Sequence, residues 1–137
     1  MARLETFGDR WHGQNPGRVV ELSVIFPSES RMSDEERKRL SRLIKRWEHK
    51  RVASGTLVLA KGLLGSMHRS VLTGILFLAP PQQPAKVFAT IPDAVAWLIP
   101  HVRTVCGAAT TPEEVIAAVE QLCTSFRARP VKGLPAP

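Results

Sequence analysis

The feature that most constrains this chain is an alternation: short apolar runs of strand character take turns with segments of helical period. Arg18 to Phe26 (RVVELSVIF) is rich in β-branched residues, lacks Gly and Pro, and is nearly continuously apolar in its second half. That is the pattern of a strand covered on both faces. Gly55 to Ala60 (GTLVLA) reads as a second buried strand, and Ala85 to Ala89 (AKVFA) as a third.

The segments between them have helix starts and stops. Ser33-Asp34-Glu35-Glu36 is a capping box, in which the Ser33 hydroxyl can accept from the Glu36 amide while Glu36 reaches back to Ser33. The acids also complement the positive end of the helix dipole. This helix is predicted to run to about Lys50, with Leu40, Leu43, Ile44 and Trp47 as its buried stripe. Lys61 to Gly65 reads as a turn, followed by a helix from about Ser66 to Ala79 that Pro80-Pro81 ends. Pro92 suits the first turn of the next helix, which passes through Ala94, Val95, Trp97 and Leu98 until Pro100 limits it. Thr111-Pro112-Glu113-Glu114 opens a last helix to about Arg127, with Val115, Ile116, Val119, Leu122 and Phe126 on its core face. Leu4, Phe7 and Trp11 at helical spacing predict a short helix over 3–13, stopped by Asn15-Pro16-Gly17.

The order α-β-α-β-α-β-α-α implies an α/β fold: a three-stranded, mainly parallel sheet with right-handed crossovers, plus a C-terminal helix. A chain of 137 residues fits one domain, expected over 1–128. Residues 129–137, basic and rich in Pro and Gly, are expected to be a disordered tail. An apolar fraction of 44% argues against global disorder. The two cysteines, Cys106 and Cys123, are far apart and form no C-x-x-C, which suits reduced, buried thiols better than a disulfide scaffold. The charges in MARLETFGDRW stand where a signal peptide needs an apolar run. The longest apolar stretch, Val71 to Ala79, is interrupted by Thr73 and Gly74 and is too short to span a bilayer. The expectation is a soluble, cytoplasmic protein.

From Arg18 to Leu98 this order resembles the second half of a STAS-like domain, the fold of bacterial anti-sigma factor antagonists and related small proteins. The strongest local likeness is KVFATIPDAVAWL, which resembles the family's last strand, carrying V-x-V/I-F, followed by a short D/E-x-A-x-x-W/L helix. The chain departs from the family in two places. The family's Asp-Ser/Thr-x-Gly-like turn is replaced by Ser28, Glu29, Ser30, Arg31 and Met32, leaving Ser30 and Ser33 as the nearby candidates for phosphorylation. The family's earlier strands have no counterpart before Arg18, so the expectation is an exposed sheet edge, a relative that begins further upstream, or a partner that completes the sheet. The resemblance implies a regulatory or scaffolding role in bacteria, without catalysis.

The residues themselves offer two surfaces. The helix over 33–51 carries Arg37, Lys38, Arg42, Lys45, Arg46 and Lys50, and the chain's formal charge is +7. This is either a solvated helix face or an anion-binding face for nucleic acid or an anionic membrane surface. The segment 66–79 is apolar almost all round. Met67, Val71, Leu72, Gly74, Ile75 and Leu78 either pack inside the fold or form an interface with a protein partner or a second copy.

Candidate chemistry is sparse. Gly62-Leu63-Leu64-Gly65-Ser66, flanked by Lys61 and Arg69, precedes a helix but has neither P-loop nor dinucleotide-binding spacing, and reads as an ordinary strand-to-helix turn. His12, His49, His68 and His101 are dispersed and lack metal-ligand spacing. Ser66 and His68 point in different directions on a helix, which makes a poor nucleophile–base pair. No enzyme activity, small-molecule substrate, cofactor or metal is expected.

Overall fold

The computed structural model describes residues 10–26, 33–78 and 80–128, apart from the side chains at 36, 37, 39–41, 43 and 44. The elements are α1 (10–14), β1 (Val19–Ile25), α2 (Asp34–Trp47), a single 3-10 turn (Glu48–Lys50), β2 (Arg51–Val58), α3 (Gly62–Leu78), β3 (Ala85–Phe88), α4 (Ile91–Cys106) and α5 (Pro112–Ala128). The strands form one parallel sheet in the order β1-β2-β3. The fold is the α/β arrangement that the alternation implies, with α5 as the C-terminal helix.

Register explains the core. Leu22 lies opposite Gly55, Val24 opposite Leu57, and Leu57 opposite Phe88, so these side chains share one face of the sheet. On that face α4 buries Ala94, Val95, Leu98 and Ile99. Leu57, Phe88 and Ala94 form the centre, with Leu22, Val24, Leu59, Ile91 and Trp97 packed around them. Gly55 permits this close seat: a Cβ there would stand 3.1 Å from Leu22 Cδ1 and 3.3 Å from Leu98 Cδ1. The right-handed crossover between β2 and β3 sets α3, which packs against both strands, on the opposite face. α5 packs on α4, buries Cys123, and stacks Phe126 on Phe26 with ring centroids 4.7 Å apart.

The helix starts follow their capping residues. α2 begins directly after Ser33. Thr90 Oγ1 accepts from the Asp93 amide at 3.3 Å, with Pro92 in the first turn of α4. At α5 the capping is reciprocal. The Glu114 amide donates to Thr111 Oγ1 at 3.3 Å, and the Thr111 amide donates to Glu114 Oε2 at 2.9 Å.

Several boundaries differ from expectation: β1 is one residue shorter at each end than Arg18–Phe26, β2 stops at Val58 and not Ala60, and α2 gives way to the 3-10 turn after Trp47. β2 begins at Arg51, four residues before Gly55. The reason is non-local: Arg51 is buried, and its Nε and Nη2 lie 2.9 and 2.8 Å from Glu21 Oε2 on β1. α3 begins at Gly62 rather than Ser66. Gly62 has φ of +67°, which glycine adopts at little cost. Gly65 lies under the Ala60 carbonyl, where any Cβ would collide, so Gly62 to Gly65 form the first helical turn and not a loop. α4 continues through Pro100 to Cys106. Pro100 and Ala96 are both exposed, so the Ala96 carbonyl that loses its partner faces water. Gly107, at φ of +104°, closes the helix by donating to the Arg103 carbonyl at 3.1 Å. β3 stops at Phe88, one residue short of Ala89.

Of the helix expected over 3–13, residues 10–14 are helical and 3–9 lie outside the described residues. Asn15 closes it, its backbone and side-chain amides donating to the Trp11 carbonyl at 3.0 and 2.8 Å. The stripe Leu40, Leu43 and Ile44 and the tail 129–137 also lie outside the described residues.

Candidate interaction surfaces

α3 has two sides. Its half-buried and buried positions are Gly65, Arg69, Leu72, Gly74 and Leu76, and all but Gly74 recur at i, i+4, i+7 and i+11. This is one stripe of a helix, and α3 packs against β3 and β2. Arg69 belongs to that stripe: its Nη1 donates to the Ala60 carbonyl at 3.2 Å. The guanidinium therefore ties α3 to the end of β2 and does not face outward as an anion ligand.

The other side of α3 is open. Leu63, Leu64, Met67, Val71, Ile75, Phe77 and Leu78 are all exposed, from 53% at Leu64 to 87% at Leu63. Of the six interface candidates, Met67, Val71, Ile75 and Leu78 are on this side. Gly74 borders it with open space around its Cα, and Leu72 belongs to the sheet-facing stripe. Internal packing therefore does not account for the apolar character of α3, since Gly65 is its one fully buried residue among those described.

The basic helix is only partly a basic face. Lys38, Arg42, Lys45 and His49 are exposed and recur at i, i+4, i+7 and i+11, which lines them up on one side of α2 and the following turn. Arg46 is exposed beside them. The Arg37 side chain lies outside the described residues. Lys50 serves the fold instead. It is half-buried, its Nζ donates to the His12 carbonyl at 3.0 Å, and it lies 5.1 Å from the centroid of the Trp47 ring. His12 stacks on Trp47 with centroids 4.4 Å apart and meets Trp11 edge-on at 5.0 Å, so α1 is fixed to the end of α2. Nothing local marked Lys50 as different from its neighbours, because its partner is 38 residues away.

The remaining candidates are scattered. Ser33 is exposed just ahead of α2, and Ser30 lies outside the described residues. His68 is exposed on α3, and His101 packs on Trp97 with centroids 5.2 Å apart. Cys123 is buried as expected, but Cys106 is exposed, because α4 runs past Pro100 and carries it out to the helix end. Among the described residues no three His, Cys, Asp or Glu side chains converge on a common point, and no helix is long and apolar enough to cross a membrane.

β1 is an edge strand that pairs only with β2 among the described residues. Its polar residues Glu21 and the exposed Ser23 share one face of the strand, and Glu21 is engaged by Arg51 of β2.

No family model matches the chain. No curated protein and no solved structure matches it either.

Proposed function

We propose that this chain is a non-enzymatic regulatory or protein-interaction module of STAS-like type, and that it works by docking through the exposed face of α3. The observation that carries the reading is seven large apolar side chains, each more than half exposed, on a single helix. Scattered apolar residues are normal on a surface, whereas a contiguous patch of this kind marks an interaction site. The STAS-like part of the reading is supported by the β3–α4 segment, a strand and a Thr90-capped helix over KVFATIPDAVAWL. At 16 residues α4 is longer than the short helix of that pattern, so the likeness rests on its first turns.

The test is capture from a lysate of the native host with wild-type and Ile75→Glu baits. Ile75 is more than half exposed, so the variant should fold normally. The reading expects protein bound by the wild type and lost by the variant, or self-association lost in the same way. Equal binding to both baits, or a monomeric wild type that binds nothing, overturns it.

A second reading is supported by the stripe Lys38, Arg42, Lys45 and His49 together with the chain's +7 charge. This is anion binding by α2 to nucleic acid or an anionic membrane surface, with affinity that falls steeply as salt rises. Triple reversal of Arg42, Lys45 and Arg46 to Glu should abolish it and leave the circular dichroism spectrum unchanged. If the wild type at low salt binds neither duplex DNA, RNA nor anionic vesicles, this reading fails.

A further inference from the structure

We propose that the occupant of the open face of α3 is a second copy of this chain, in an antiparallel α3–α3 pair about a two-fold axis near Val71. This rests on the interaction reading and gives it a partner.

The first argument is symmetry within the helix. An isologous interface must be complementary to itself: residue i meets j, and j meets i. Reversing α3 about Val71 places Leu64 opposite Leu78 and Met67 opposite Ile75, with Val71 opposite its own copy. Leu63 and Phe77 lie on one flank of that stripe, two residues out of this register. Leu64 and Met67 in the first half of the helix thus each meet an exposed apolar residue of the second half, and all four are more than half exposed. Leu64, Met67, Val71, Gly74 and Leu78 also repeat at the alternating three- and four-residue spacing that two packed helices use. Gly74, with nothing within 4 Å of an added Cβ, leaves room for a large side chain from the other helix.

The second argument is charge. A chain of +7 should resist meeting itself, yet α3 contains no acid and few bases. Arg69 turns toward the Ala60 carbonyl, and His68 is at the margin. The positions flanking the stripe are Leu63, His68, Ser70, Ile75 and Phe77, and reversal about Val71 sets His68 against Gly74 and not against its own copy, so no like charges oppose one another across the pair. A face without fixed charge has nothing with which to select an acidic partner.

The third argument is area. A large aliphatic side chain presents on the order of 100 Å2 and an aromatic one about 150–250 Å2, so these seven expose roughly 500–600 Å2 of apolar surface. Two copies would bury about 1,100 Å2. With apolar area near 65% of a homodimer interface, the total comes to roughly 1,700 Å2, the size of a standard stable interface.

The experiment is sedimentation of the purified full-length chain across a concentration series. The expected result is a reversible monomer–dimer equilibrium in the micromolar range or tighter, as interfaces of this size give. Val71→Glu places two carboxylates at the axis and should weaken dimerisation by roughly 30-fold or more, while the circular dichroism spectrum remains that of the wild type. Cross-linking tests the geometry in a Cys106→Ser background. Val71→Cys should give a disulfide-linked dimer on mild oxidation, and Thr73→Cys, exposed but off the stripe, should not. A chain that stays monomeric at several hundred micromolar overturns the second copy. If such a monomer still captures a protein that Ile75→Glu loses, the interaction reading stands with a different occupant. If it captures none, both fall. A dimer unaffected by Val71→Glu, or one in which Thr73→Cys cross-links and Val71→Cys does not, also overturns the α3 pair.

Discussion

α3 and α4 are nearly the same length, 17 and 16 residues, and both cross the same small sheet. They use it in opposite ways. α4 fully buries Ala94, Val95, Leu98 and Ile99 against Leu57 and Phe88, and leaves Pro92, Asp93, Ala96 and Pro100 in water. α3 is richer in large apolar residues, yet fully buries only Gly65 and holds to the sheet through Leu72, Leu76 and the Arg69 guanidinium. One helix is apolar because it closes the core. The other is apolar well beyond what the core needs, and the excess faces outward. Apolar content thus reports the total surface a helix must cover, inside the molecule and outside it.

The largest expected effect comes from the α4 face. Leu57→Ala removes a fully buried side chain and should cost about 2–5 kcal/mol in urea unfolding followed by tryptophan fluorescence. In a Val71→Glu background, where self-association is removed, Ile75→Ala on α3 should change stability by no more than about 0.5 kcal/mol. Comparable losses at the two sites would break the contrast between the helices.

Next come the glycines of α3. Gly65→Ala drives a methyl into the Ala60 carbonyl, and should destabilise the chain by about 1–3 kcal/mol. Gly74→Ala in the Val71→Glu background meets nothing and should stabilise by about 0.5–1 kcal/mol, the ordinary helix preference for alanine. Opposite signs in thermal unfolding would sharpen the assignment of inner and outer sides, and equal signs would undo it. Between these in size, Thr111→Ala removes the reciprocal cap of α5, with an expected loss of about 1 kcal/mol. Hydrogen exchange should show that loss in the first turn of α5 and leave α3 unchanged. Protection lost in α3 as well would mean that the two faces are coupled.

The fold class was legible because it depends on local signals repeated along the chain. RVVELSVIF, GTLVLA and AKVFA each announce a strand, and Thr111-Pro112-Glu113-Glu114 announces a capped helix start. The differences arose where a distant residue decides the outcome. Arg51 joins β2 because Glu21 receives it. Gly65 is helical because the Ala60 carbonyl passes over it, and Lys50 is withdrawn from the basic face by His12 and Trp47. Pro100 sits inside α4 because its side of the helix is solvated. The candidate surface was half legible. The apolar character of 66–79 is plain, but a helix apolar on nearly all sides gives no periodic sign of which stripe meets the sheet. Small Gly65 and the basic Arg69 mark the inner stripe, against the usual expectation that the largest apolar residues turn inward.

The sheet order β1-β2-β3 follows the order of the chain, and this has a consequence for synthesis. Each strand pairs with the one made just before it, so ring closures are short and no early segment waits for a late one to complete its pairing. The covering of Leu22, Val24 and Leu57 is different, because α4 supplies it and begins only at Ile91. A ribosome-bound chain that has finished β3 therefore holds an assembled sheet with its greasiest side uncovered. The interval before α4 clears the exit tunnel is when this protein most needs a chaperone.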